Sequence, residues 1–202
     1  MKHPSSQVVL RHWSERRRNR PAPERGDIDP AAIRQSLGDT FMLAADFVGE
    51  LRFRLAGTRV CALFGREVKG WSFADLCNEE SRGEIESLLV AVSEDKTGAV
   101  AGLRGETADG LDLALELLLL PLAHQGEARI RALGVLAPMQ PPYWLGERPL
   151  VRLELRSVRH LGSEAPAAGS FLPAVARQKH GFRVYSGGFT RPGANGEVET
   201  SP

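Results

Sequence analysis

Cysteine is scarce in this sequence, two residues in 202, so Cys61 and Cys77 cannot build a disulfide framework. Neither has a metal-ligand partner at zinc-site spacing, and the usage fits a reducing, cytoplasmic setting. Long apolar runs are missing too. The longest, Leu117 to Leu122, is interrupted by Pro121 and is far shorter than the roughly 20 residues a membrane-spanning helix needs. His3-Pro4 and mixed charges come directly after the first residues, without the apolar core of a signal peptide. Catalytic signatures are equally thin: there is no Gly-x-Ser-x-Gly elbow, no phosphate-cradling glycine loop, and no Ser, His and Asp set that the pattern brings together. The carboxylate pairs Glu79-Glu80 and Glu94-Asp95 fall at helix ends, where solvated capping accounts for them. These absences point away from an enzyme.

What is present is a globular balance, 42% hydrophobic and 25% charged, enough for one domain with a tail. The net charge of +1 hides polarity, because residues 1–25 carry seven Lys or Arg against Glu15 and Glu24. No aromatic residues interleave with Arg16, Arg17, Arg18 and Arg20 as a base-stacking platform requires, so a solvated helix end is favoured and nucleic acid disfavoured.

Residues 5–18 read as a helix capped by Ser5 or Ser6, with Val9 and Trp13 one turn apart, and 19–26 as a linker. Asp29-Pro30 starts a short helix that stops at Gly38. Two strands, 40–47 and 51–56, flank a Val48-Gly49-Glu50 turn. Between Phe53 and Leu76, Gly57, Gly65 and Gly70 punctuate short apolar pieces suited to one-turn helices. Ser81 to Glu84 reads as a capping box for the longest helix, with Ile85, Leu88, Leu89 and Val92 at helical spacing. Three strands come next as a meander: 99–107, 111–122 and 128–137, with turns at Asp109-Gly110 and His124 to Glu127. In the middle strand the face bearing Leu111 to Leu119 is core, and Asp112, Ala114 and Glu116 mark a solvated one. Leu150 to Val158 alternates without settling between strand and helix. Gly162 to Pro173 and the tract from Arg191 are flexible by composition.

Strand, strand, several short helices, one longer helix and a three-stranded meander is an order that resembles the PAS domain. Leu63-Phe64-Gly65, Glu67, Gly70 and Phe73 to Leu76 are similar to the family's turn-rich segment. Arg54-Leu55-Ala56-Gly57-Thr58 joined to Cys61-Ala62-Leu63-Phe64-Gly65, with Gly181-Phe182-Arg183-Val184-Tyr185-Ser186-Gly187-Gly188 near the end, more closely resembles a PAS-like family of alphaproteobacterial proteins. The resemblance implies an α+β fold: a five-stranded antiparallel sheet covered on one face by short helices and one longer helix, with an N-terminal helix and an irregular C-terminal extension. It divides the chain into residues 1–26, a core at 27–139 and an extension at 140–202.

PAS flavin photosensors carry a cysteine within an Asn-Cys-Arg-Phe-Leu-Gln segment, which Leu76-Cys77-Asn78-Glu79 does not reproduce, and the long helix lacks the axial histidine of haem-binding members. Covalent flavin and haem are therefore disfavoured. Of the five histidines, only His180 adjoins a motif. The implied fold turns Phe53, Leu55, Val60, Leu63, Phe64, Trp71, Phe73, Leu88, Leu89, Leu117 and Leu133 between sheet and short helices, as plain core or as the wall of a small apolar ligand site. The expected function is a non-catalytic sensory domain that binds a small ligand or a signalling partner and signals by changed association. The alternative is a ligand-free adaptor that dimerises through Val9, Trp13 and the outer face of the sheet, with Arg16 and Arg17 at its margin; contact of the arginines with nucleic acid is the weaker third reading.

Overall fold

The computed structural model describes residues 1–123 and 130–161, together with backbone pairing between Gln178–Lys179 and Phe182–Arg183. Pro4 at its first position and the His3 imidazole, which accepts from Ser5 N at 3.2 Å, start helix α1 (Pro4–Arg17). Ser5 and Ser6, expected as caps, are instead buried inside it. Asp29 Oδ1 accepts from Ala31 N at 2.9 Å, but the chain beyond that turn tightens into a 3-10 helix at Arg34–Asp39. It then forms β1 (Thr40–Ala45) and β2 (Leu51–Ala56), with Gly49 at φ +88° in their turn. Helix α2 (Thr58–Leu63), a one-turn 3-10 helix at Ala74–Leu76 and helix α3 (Glu79–Ser93) come next. Asn78 caps α3 by accepting from Ser81 N at 3.0 Å, so the helix begins before the expected box.

The meander is β3 (Ala99–Thr107), β4 (Asp112–Pro121) and β5 (Ile130–Pro138), and β6 (Leu150–His160) returns to β3. The six strands form one antiparallel sheet in the order β2-β1-β5-β4-β3-β6. The expected count of five therefore grows to six. Side chains of the added strand lie over glycines on β3: a Cβ on Gly105 would lie 2.6 Å from Leu150 Cδ1, and one on Gly102 2.8 Å from Ser157 Oγ. Residues 150–160 consequently belong with the core, beyond the expected limit at 139.

Both faces of the sheet are covered. On one, α2 and α3 close over Phe41, Leu43, Phe53, Leu103, Leu115 and Leu117. On the other, α1 packs Val9 and Trp13 against Met42, Leu118, Leu120, Leu133 and Val135. Burial of this second apolar face explains why β4 reads as an unbroken leucine run rather than a clean alternation. The turn at His124 to Glu127, the tract Gly162 to Pro173, His180 and the tail from Arg191 lie outside the described residues, as does the Gly181–Gly188 motif apart from the backbone of Phe182–Arg183.

Candidate functional site

Three phenylalanines occupy the centre of the space beneath the short helices. The ring of Phe41 lies 5.2 Å from that of Phe53 and 5.6 Å from that of Phe73, and Phe53 and Phe73 are 5.6 Å apart. Such aromatic pairs stabilise beyond the area they bury. Gly134 makes room for the first of them, since a Cβ there would sit 2.1 Å from the Phe41 ring.

The roof is set by glycines at close approaches and left-handed positions. A Cβ on Gly57, which opens α2, would be 2.1 Å from the Leu37 carbonyl oxygen. Gly65 at φ +60° ends α2, and Gly70 at φ +86° turns the chain back along β2. There Gly70 N donates to Phe53 O at 2.8 Å and Phe53 N to Trp71 O at 2.9 Å, which covers this edge strand. At the opposite edge, Asn78 N donates to Leu153 O at 2.8 Å and Leu155 N to Ser81 Oγ at 2.9 Å, so the start of α3 is tied to β6.

Phe53, Val60, Leu63, Phe64, Phe73, Leu88, Leu89 and Leu117 all come together here. Leu55, Trp71 and Leu133 do not. The register shift between Met42 and Leu43 pairs Leu55 with Met42 and turns it to the other face, where it is 50% exposed. Trp71 is 39% exposed, with the Arg66 guanidinium carbon 3.8 Å from its ring centroid. Leu133 follows the alternation of β5 and packs under α1. A separate surface cavity of about 340 Å³ is lined by Asp112, Leu113, Ala114, Met139, Gln140 and Pro142.

Val9 and Trp13 are not presented to solvent, because α1 turns both into the sheet and Trp13 Nε1 donates to Pro121 O at 2.7 Å. Arg16 is exposed, and Arg17 lies over the Trp13 ring at 5.2 Å. The rest of the sheet's outer face is not apolar either. Arg104 pairs with Asp112 at 2.6 Å and Glu154 at 3.3 Å, Arg152 with Glu106 at 2.6 Å, and Arg156 with Glu154 at 3.0 Å.

Sequence reasoning missed two buried carboxylates that hold α1. Glu116, read as solvated, is 6% exposed and accepts from the amides of Lys2 at 2.6 Å and His3 at 3.0 Å. Asp39 is 3% exposed and accepts from Ser5 Oγ at 2.6 Å, Arg59 Nε at 2.6 Å and Arg59 Nη2 at 2.8 Å. Burial opposes its charge, but the hydrogen bonds from Arg59 and Ser5 outweigh that and hold the carboxyl below its usual range. The available signal was Glu116 standing alone between leucines.

Cys77 is buried with Sγ 3.8 Å from Phe73 O, and burial pushes its thiol up to about 12 despite the opposing charge of Arg82. Cys61 is also raised, chiefly by burial, with Glu67 adding to the shift against a backbone bond from Val68. Thiolates are the reactive form, so alkylation at mildly alkaline pH, read by mass spectrometry, is expected to be slow at Cys61 and absent at Cys77 until the protein unfolds. Prompt modification of folded Cys77 would contradict this packing. A thiol so placed does not supply an activated nucleophile.

A sheet in this order, roofed by a six-residue helix, a one-turn helix and one long helix, defines the PAS class of α+β domains. The PAS domain family model matches residues 1–137, and the chain belongs to that family. It is similar to a LOV protein of Rhodobacter sphaeroides, with 14% identity and a TM-score of 0.41 over 52% of this chain and 60% of that one. It is also similar to a PAS domain of a protein from Colwellia psychrerythraea, with 17% identity and a TM-score of 0.40 over 55% of this chain and 98% of that one. No curated protein matches the sequence. Among the described residues no helix is long and apolar enough to cross a membrane, and no three His, Cys, Asp or Glu side chains are grouped to hold a metal ion.

Proposed function

We propose that the chain is a non-catalytic sensory PAS domain in which a small apolar ligand, admitted beneath α2, the 74–76 turn and α3, changes the packing of those short helices and thereby the domain's association with a protein partner or second copy. One observation carries this reading. Eight side chains without a hydrogen-bonding group converge at a roof whose first helix has six residues and no side-chain cap, so few helical hydrogen bonds hold that helix in place. A ligand shifts that packing only by binding one arrangement more tightly than the other. Native mass spectrometry of freshly purified protein, paired with amide exchange, tests it. A retained apolar mass, or slower exchange at 58–76 on adding an apolar ligand together with a changed oligomer mass, is the expected result. No retained mass and unchanged exchange across a series of apolar ligands would remove the ligand.

The Phe41, Phe53 and Phe73 contacts favour a second reading, a ligand-free regulatory adaptor, because their rings already fill the centre of that space. For it, removal of residues 1–20 is a poor test, since it strips Val9 and Trp13 from the interior. Charge reversal at Arg16, which is exposed, leaves the interior intact, and an adaptor that uses this margin loses its partner or its dimer.

A further inference from the structure

The 3-10 helix at Arg34–Asp39 stands between the roof and α1. From the roof the approach is close: Gly57 N donates to Thr40 O at 2.8 Å, and a Cβ on Gly38 would lie 2.8 Å from Arg59 Cζ. The Arg59 side chain, from α2, therefore crosses Gly38, and its Nη2 also donates to Gln35 O at 3.0 Å. From the other side Ser5, in the first turn of α1, reaches the same segment.

The two approaches meet at one carboxylate. Asp39 Oδ1 accepts from Arg59 Nε, while Oδ2 accepts from both Arg59 Nη2 and Ser5 Oγ, so a single oxygen is shared between α2 and α1. The Asp39 side chain is 4% exposed and that of Arg59 55%. An interior charge thus depends on a cation that reaches it from the surface of a six-residue helix. A buried charge deprived of its partner is strongly unfavourable. When α2 shifts, the carboxylate follows Arg59 or turns to water, and either course leaves the buried Ser5 hydroxyl without its acceptor.

We propose that Asp39 is a relay coupling the position of α2 to the seating of α1, through which movement of the roof loosens the helix packed on the opposite face of the sheet. Coupling of this kind is reciprocal, so a seated α1 also favours the closed roof. That an apolar ligand is what moves α2 rests on the function proposed above; the relay belongs to the fold and is tested without ligand.

Amide exchange of the full chain tests it in Arg59→Met, which keeps an apolar stem and removes the guanidinium. Exchange across α1 is expected to rise on the order of tenfold, a usual size for coupling between sites. The α3 amides, whose local opening leaves Asp39 bonded, keep the parent's rates. In an Asp39→Asn background the same substitution should add less than about twofold, because no buried charge is left to rehouse. If Arg59→Met does not fold, Arg59→Lys, which keeps the charge and loses the fork, is expected to raise α1 exchange by a smaller factor. Unchanged α1 exchange in a folded variant, an equal rise in α1 and α3, or an undiminished effect in the Asp39→Asn background overturns the relay. Loosening of α1 in Arg59→Met, with no apolar ligand altering exchange at 58–76, upholds the relay and removes the ligand.

Discussion

Replacing Phe73 by alanine should lower stability by about 3–5 kcal/mol, the usual cost of emptying a large aromatic site in a packed core. Phe73 is fully buried and touches both other rings, so neither can follow it into the gap without losing its own contacts. For a chain of this length the melting temperature should fall on the order of 10 °C, read by thermal denaturation. Trp71→Ala, two residues away but 39% exposed, should cost about 1 kcal/mol or less. Equal losses at the two positions would contradict the division between interior and surface. The same variant probes the proposed function: a cavity at Phe73 should admit small apolar molecules and regain part of the lost stability with them, as ligand binding to the folded state does.

Asp39→Ala should be the second large effect, about 3 kcal/mol, because it leaves the buried Ser5 hydroxyl without its acceptor and removes a forked bond to Arg59. Its signature is local: amide exchange should rise first in α1. The pH dependence has a definite sign. The folded pKa of Asp39 lies below its unfolded value, so its contribution is fully present above the unfolded carboxylate value of about 3.9 and is lost as pH falls through the folded one. Asp39→Asn should therefore show a flatter decline in acid than the parent, measured by denaturant titration at stepped pH. An identical decline would mean that Asp39 does not hold α1. Glu106, lowered chiefly by Arg152, pushes in the same direction, but it is only half-buried and its partner Arg152 is exposed, so it contributes less.

The order of elements and most of the roof were legible in the sequence because glycine and apolar periodicity act locally. Gly65 and Gly70 take the left-handed conformations expected of them. Three features were hidden for one shared reason, that they depend on partners far along the chain. Leu55 changed face through a register shift against β1 that its own alternation does not encode. Residues 150–160 became a strand because β3, far earlier in the chain, offers an edge for them to pair with. Val9 and Trp13 have the spacing of an exposed docking stripe, and only the second apolar face of β4 and β5 beneath them makes them interior.

That last arrangement bears on how the chain is made. The amides of Lys2 and His3 bond to a residue more than a hundred positions later, and so does the Trp13 indole. During synthesis α1 emerges long before β4 and β5 exist to receive it, and contacts of such sequence separation form late and slowly. Helix α1, made before the sheet it packs on, is thus among the last pieces of this domain to be seated. In that interval Val9 and Trp13 lack the apolar face that buries them in the finished domain.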